Sequence, residues 1–256
     1  MNIATVISYC TLDNRFIDHC ICQAKCFSNE VVVSLADKLY DGTPENVDII
    51  SDTIKRNEHY AKFVKYDPAK CVAAGYKHAC ASRWVGYIAL SKAYDWVLFL
   101  DADEIIDGQR FHDDYRYLMS IQNYDSKGVI EFKANWYFRS ARNQATTTEY
   151  AGTMVRPYFI TQDRVFYVNE RNGFRNVWPR NIASNITNSD QLPFIHHYSW
   201  VRTKDEMMHK VRGWGHKGER NWEQMVEDEF SHEFNGKDFV HGYSYRYVEP
   251  FVEVGL

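Results

Sequence analysis

The run Trp96-Val97-Leu98-Phe99-Leu100-Asp101-Ala102-Asp103-Glu104 passes directly from apolar residues into carboxylates. A continuous Val/Leu/Phe strand is buried on both faces, as in a parallel sheet, and open α/β sheets hold their ligands just beyond the carboxyl ends of such strands. Asp101 and Asp103 fall at that position. One residue apart on an extended segment, they point to the same side and concentrate negative charge unless a cation sits there. Mg²⁺ or Mn²⁺ shared with a diphosphate is the natural occupant. A helix cap or a solvated turn is the competing reading, and the apolar strand in front weighs against it.

Upstream of this run, periodicity predicts alternating strands and helices. Ile3 to Tyr9, Glu30 to Leu35 and Ala61 to Tyr66 read as strands. Arg15 to Phe27 reads as a helix, Ala69 to Tyr94 as a long Ala-rich helix, and Asp41-Gly42-Thr43-Pro44 as a turn. Strands alternating with helices predict a parallel sheet. Downstream the segments shorten. Val129 to Trp136, Thr153 to Thr161, Arg164 to Val168 and Pro193 to Val201 read as extended, with a more antiparallel character, and Thr203 to Phe230 as helical, broken near Gly213, Gly215 and Gly218. No internal repeat or low-complexity linker separates the parts, so the 256 residues form one unit.

Composition excludes several classes. A net charge of -4 leaves no electrostatic footprint for nucleic acid. Aromatic residues make up 16% of the chain, which suits sugars and bases as well as a core. No apolar stretch approaches the ~20 residues of a membrane span, and Met1-Asn2-Ile3 does not open a signal peptide, so a soluble, cytoplasmic protein is expected. Cys20, Cys22 and Cys26 lack the partner pair of a zinc site and fall in a helical pattern, so buried reduced thiols are expected.

The βαβ half, the strand closing on Leu100-Asp101-Ala102-Asp103-Glu104 and the later His196-His197-Tyr198-Ser199-Trp200-Val201-Arg202 resemble a GT-A fold glycosyltransferase of the family 2-like type, from Ile3 to about Trp222. The resemblance implies an α/β fold: a Rossmann-like nucleotide-sugar-binding half over about 1–104 with a mostly parallel sheet, a smaller antiparallel acceptor half over about 105–202, and a C-terminal helical or lid region over about 203–256. It also implies transfer of a sugar from a UDP- or GDP-sugar donor to a carbohydrate or glycoconjugate acceptor, with Mn²⁺ or Mg²⁺ as cofactor. By position, Asp103 would hold the metal directly and Asp101 the ribose, or the metal through water. His197 would be a further ligand, with Asp37 and the Thr11 loop on the nucleoside and Arg83 reaching the donor. A hard cation bridging two phosphates neutralises charge on the leaving diphosphate.

Alternation along a strand sends His196 and His197 to opposite faces, so one of them enters the site. Arg202, Lys204, Lys210, Arg212, His216 and Lys217 follow closely and could grip the diphosphate, although Asp205, Glu206, Glu219 and Glu223 would equally make this a solvated helix face. Trp136 and Tyr137 are placed to stack on an acceptor sugar. An inverting transferase needs a carboxylate base, for which Glu131, Glu149, Asp163 and Glu170 are candidates. A retaining enzyme would not need it there, and the stereochemistry stays open.

Three rival readings remain. His112, Asp114 and His197 have the composition of an Fe(II) oxygenase triad, though the opening βαβ pattern does not suit a jelly roll. A nucleotidyltransferase also pairs acids at a sheet edge, but Ser8-Tyr9-Cys10-Thr11 is no Gly-rich phosphate loop. A non-catalytic sugar-binding module could keep the metal pocket without the chemistry.

Overall fold

The computed structural model describes residues 2–39, 41–73, 78–121, 127–161, 182–214 and 216–255. The first four strands are β1 (Ile3–Tyr9), β2 (Glu30–Ala36), β3 (Lys62–Tyr66) and β4 (Trp96–Asp101). Next come β5 (Glu104–Ile106), β6 (Val129–Phe138), β7 (Ser140–Val155), β8 (Ile182–Ile186), β9 (Ile195–Trp200) and β10 (Tyr245–Tyr247). They form one sheet in the order β3-β2-β1-β4-β7-β6-β9-β5, with β10 on β7 and β8 on β6. β1 pairs in parallel with β2 and β4, and β2 with β3. β7 then enters antiparallel to β4 and carries the sheet into its second half. That half is mixed: β6 also runs parallel to β8 and β9, while β5 returns antiparallel to β9.

Helices cover both faces of the parallel half, as a sheet buried on both sides requires. On α1 (Asn14–Lys25), Phe16, Ile17, Cys20, Ile21 and Ala24 recur at helical spacing and are buried in one core with Ile7, Val33, Leu98 and Leu100. On the other face α4 (His78–Ile88) packs Trp84 and Tyr87 against Val6, Val97 and Phe99. The approach is tight at Gly86, where an added Cβ would lie 2.3 Å from Val6 Cγ1.

Two helices escape the sequence reading. α2 (Val47–Asn57) begins at Asn46, whose side chain accepts from the Asp48 and Ile49 amides. α5 (Gly108–Ile121) carries Phe111 into the core. The long helix expected over Ala69 to Tyr94 is instead α3 (Pro68–Ala73) and α4, with 74–77 outside the described residues. Past Ile88 the chain is tied down by Glu30, which accepts from the Ser91 amide and the Tyr94 hydroxyl. The strand expected over Thr153 to Thr161 is the end of β7, and it stops at Val155 because Pro157 opens a 3-10 turn. Arg164 to Val168, like the candidate bases Asp163 and Glu170, lies outside the described residues.

α6 (Lys204–Gly213) and α7 (Trp222–Phe230) follow β9, so the C-terminal region is helical only as far as Phe230. Beyond it the chain returns to the sheet as β10. These elements close an aromatic cluster of Trp136, Phe138, Trp200 and Trp222 with Met207 and Val226. All six cysteines are free, but Cys22 and Cys26 are exposed and only Cys20 and Cys80 are buried, which corrects the expectation that this cluster is buried as a set. No helix among the described residues is long and apolar enough to cross a membrane.

Candidate functional site

The apolar run of β4 ends in a reverse turn, so Asp101 and Asp103 do not share one extended face. The Ala102 amide donates to Ser8 O at 2.9 Å and the Tyr198 amide to Asp103 O at 2.8 Å, which fixes the turn between β1 and β9. Glu104 is fully buried and its Oε2 accepts from the Asp101 amide at 3.1 Å. From beneath, the buried Cys20 thiol reaches Glu104 O at 3.5 Å. The two aspartates are thereby given separate partners. Asp101 accepts from Arg83 Nη2 at 2.9 Å, an arginine that α4 holds almost wholly buried.

Asp103 faces a ring of cations. Lys210 Nζ stands 3.8 Å from its Oδ2 and Arg202 Nη2 3.9 Å, while His197 Nε2 is 3.6 Å from its Oδ1. Burial opposes the charge, but His197, Lys210 and Arg202 outweigh it and hold the Asp103 carboxyl well below its ordinary range. Burial and the neighbouring Arg202 push the Lys210 ammonium below its usual value, against the pull of Asp103 and Asp13. The Lys210 head also donates to Ser199 Oγ at 2.7 Å.

The two histidines part company as strand alternation requires. β9 turns His197 and Ser199 to the Asp103 side and His196 to the back, where it stacks on Phe251 and contacts the Tyr137 hydroxyl at 2.7 Å. Burial, with a smaller push from Arg110, lowers His196 to about 3.

Asp101, Asp103, Arg83, His197, Arg202 and Lys210 all line a single cavity of about 590 Å³. One end lies over the carboxyl ends of β1, β2 and β3; the other is walled by Trp136, Glu131, Glu149 and His241. Trp136 meets His197 and His241 edge to face, with ring centroids 4.7 and 4.9 Å apart. Glu149 accepts from the Tyr243 hydroxyl at 2.5 Å and lies 3.8 Å from His241 Nδ1.

Several residues expected at the site stand elsewhere or do something else. Trp136 lines the cavity as expected, but Tyr137, the next residue on β6, faces the other side and is buried in the core. Asp37 is exposed and does not line the cavity, nor do Lys204, paired with Glu227, and Lys217. Thr11 is also outside the lining, and both its amide and its hydroxyl are taken by Glu45. Arg202 lines the cavity, yet its guanidinium is consumed by Asp13, Leu12 O and Ser199 O, so it straps the β1 loop to β9. His216 lines the cavity with its Nδ1 2.5 Å from Glu219 Oε1, and its carbonyl accepts from Trp222 Nε1. The oxygenase triad does not assemble: His112 sits exposed beside Asp113, Asp114 accepts from Ser189, and neither lines the cavity that holds His197.

Sequence reasoning passed over Glu45 and His241, and took Asp13 only as part of a loop near the nucleotide. Asp13 lay in the loop after β1, Glu45 just ahead of an unrecognised helix, and His241 in a stretch with no periodic signal. Among the described residues no group of three or more His, Cys, Asp or Glu is arranged as a ready-made metal site.

No family model matches the chain, and no curated protein matches it. Among solved structures it is similar to a fragment of S. aureus TarS spanning that protein's residues 1–349, at 13% identity and a TM-score of 0.45, over 83% of this chain and 64% of that one. It is similar to the glycosyltransferase GlyE of Streptococcus pneumoniae TIGR4, at 12% identity and a TM-score of 0.41, over 90% of this chain and 64% of that one. The mannosyltransferase PcManGT of Pyrobaculum calidifontis, solved with GDP-Man and Mn²⁺, is similar at 8% identity and a TM-score of 0.42, over 83% of this chain and 61% of that one. In all three the match spans less than two thirds of the other protein's length. The layout itself is a parallel βαβ half closing on the acidic strand, and a mixed half carrying the histidine strand.

Proposed function

We propose that this chain is a glycosyltransferase that binds a nucleotide-diphosphate sugar with the aid of Mn²⁺ or Mg²⁺ and passes the sugar to a carbohydrate or glycoconjugate acceptor. The observation that carries this reading is the meeting of Asp101, Asp103, His197 and Lys210 on one wall of a cavity of about 590 Å³ that runs past the carboxyl ends of the parallel strands.

The donor set suits a hard cation. Mg²⁺-type ions keep several waters and take only one or two carboxylates plus phosphate oxygens, so a full protein cage is not needed. Asp103 and His197 would hold it, with Asp101 reaching it through water. Charge points the same way: Asp13, Asp101 and Asp103 meet Arg83, Arg202 and Lys210, with Glu104 behind them beside His197, so the cavity has little net positive charge of its own for a diphosphate. A bound divalent ion supplies neutralisation of the charge that builds on the leaving diphosphate.

The remaining roles fall to the chain itself. Lys210, held by Ser199, offers its ammonium to a diphosphate oxygen, with His216 at the same rim. Arg83 orients Asp101 toward the ribose. Trp136 presents an aromatic surface to an acceptor ring, and Glu149, steadied by Tyr243, is the base for the acceptor hydroxyl.

Calorimetric titration of UDP and GDP with and without Mn²⁺ tests the reading. Binding that requires Mn²⁺ and disappears in Asp103→Ala is expected. Binding of neither nucleotide, or binding indifferent to both the metal and the substitution, overturns it. Slow donor hydrolysis by the wild type separates an enzyme from a sugar-binding module.

A further inference from the structure

Beyond α7 the chain folds back on itself over 238–243 before it enters β10, and Val240 and His241 of this turn line the cavity. Asp238, 3% exposed, builds the turn. Its Oδ1 accepts from the Val240, His241 and Gly242 amides at 2.7, 2.6 and 3.3 Å. Its Oδ2 accepts from the Tyr243 amide and the Tyr245 hydroxyl, both at 3.0 Å. Gly242 completes the path at a φ of +74°, which an L side chain rarely adopts. A surface turn often closes on one hydrogen bond, whereas here a buried carboxylate, costly to desolvate, pins the amides of 240 to 243 in succession.

The pinned turn presents two side chains to one oxygen. The Tyr243 hydroxyl donates to Glu149 Oε1 at 2.5 Å, and His241 Nδ1 stands 3.8 Å from the same atom. The two rings stack with centroids 5.1 Å apart, which couples their positions. Burial and Glu149 push the Tyr243 hydroxyl above its ordinary value, so it stays a donor. Glu149 itself comes from β7, past the Ala145–Tyr245 pair that joins β7 to β10. The sheet sets its backbone, and among the described residues its carboxylate meets its hydrogen-bond and ion-pair partners on this turn.

We propose that Asp238 is a positioning residue for the transfer step, aiming the Glu149 carboxylate at the acceptor hydroxyl through Tyr243 and His241. The inference rests on the sugar-transfer reading, in which Glu149 is the base. In that step the acceptor oxygen bonds to the anomeric carbon, and the bond from that carbon to the diphosphate oxygen breaks with its electron pair leaving on the diphosphate. The hydroxyl proton passes to Glu149. Misplacing a catalytic group by about 1 Å can cost a hundredfold in rate. Asp238 does not line the cavity, so it acts through the turn and not on the substrate.

Hydrolysis of UDP-glucose, UDP-N-acetylglucosamine and GDP-mannose by the full chain in Mn²⁺, with water in the acceptor's place, provides the test. Asp238→Asn keeps the size and one acceptor oxygen but sets an amide N–H against that of Tyr243. It should lower kcat about tenfold or more, with donor KM and Mn²⁺-dependent UDP or GDP binding unchanged. Glu149→Gln should lower kcat as well, and adding Asp238→Asn to it should bring no further loss. Additive losses, a KM that moves with kcat, or an unchanged kcat in Asp238→Asn overturns the inference. If Asp238→Asn does not fold, Gly242→Ala takes its place with the same expected pattern, since it strains the same turn and meets only the Lys237 side chain, at 3.6 Å. Hydrolysis with additive losses defeats this inference alone, whereas no hydrolysis of any of the three donors, or no nucleotide binding, defeats the sugar-transfer reading with it.

Discussion

The two halves of the molecule are made of different material. Around β1, β2 and β4 the strands themselves are mainly Ile, Val and Leu, and the parallel pairs run in unbroken register. Around β6, β7 and β9 the packing is Trp, Tyr and Phe, and the β6–β7 pair shifts register between Glu131 and Lys133, between Asn135 and Tyr137, and between Tyr137 and Phe138. Strands buried on both faces make a platform with little freedom. Large rings and bulges re-aim individual side chains, and it is this half that turns Trp136, Glu149 and His197 to the cavity. Each shares that wall with groups the regular half delivers, namely Asp101, Asp103 and Arg83.

The sharpest way to break this division is at the strap between the halves. Arg202→Met leaves Asp13 and Asp103 buried without their guanidinium, and should cost about 3–5 kcal/mol in urea unfolding. Arg142→Met removes two ion pairs with the exposed Glu249 and Glu253 and should cost under about 1 kcal/mol. A comparable small loss at Arg202 would mean that the β4–β7 pairing holds the halves together without help from the strap.

A second comparison tests rigidity on either side. Gly86→Ala drives a methyl into Val6 on the regular half and should destabilise by about 1–3 kcal/mol, with recovery in the Val6→Ala, Gly86→Ala double variant. Gly218→Ala, which meets nothing within 4 Å, should be close to neutral in the same thermal melts. Equal costs at the two glycines would refute the contrast.

The mildest probe is acid. His196, lowered to about 3 in the folded chain, has an ordinary value of ~6.5 when unfolded. Between these values the unfolded chain binds more protons, so the stability that neutral His196 contributes is complete above ~6.5 and is lost as pH falls toward 3. The contribution to the fall between pH 7.5 and 5 is about 2 kcal/mol at most. His196→Phe keeps the stack on Phe251 and should flatten that part of the fall, whatever its stability at pH 7.5. An unchanged slope would place the acid sensitivity in other groups.

Legibility in the sequence follows the same division. The strands of the platform were readable because burial on both faces leaves only apolar residues, and Asp101 and Asp103 stood out against them. α2 was missed although its signal is present in the sequence: Asn46 caps it on the Asp48 and Ile49 amides, and Ile50, Thr53, Ile54 and Asn57 recur at helical spacing. Most of β7 was missed because Ser140, Arg142, Asn143, Gln144 and the threonines face polar surroundings. Tyr137 was misplaced because strand alternation, applied to His196 and His197, was not applied to Trp136 and Tyr137, which are adjacent and so face opposite sides. Glu45 and His241 come from stretches without periodicity and reach the cavity only through the folded path of the chain.

β7 bears on how anything gets in. It is bonded to β4 through Val155, Met154 and Thr153, and to β10 through Asn143, Gln144 and Ala145. One continuous plank thus underlies both sides of the opening, and the halves cannot swing apart like the jaws of a two-domain clamp without tearing main-chain bonds. Guests therefore arrive on a floor already set, and any adjustment to their size belongs to the rim.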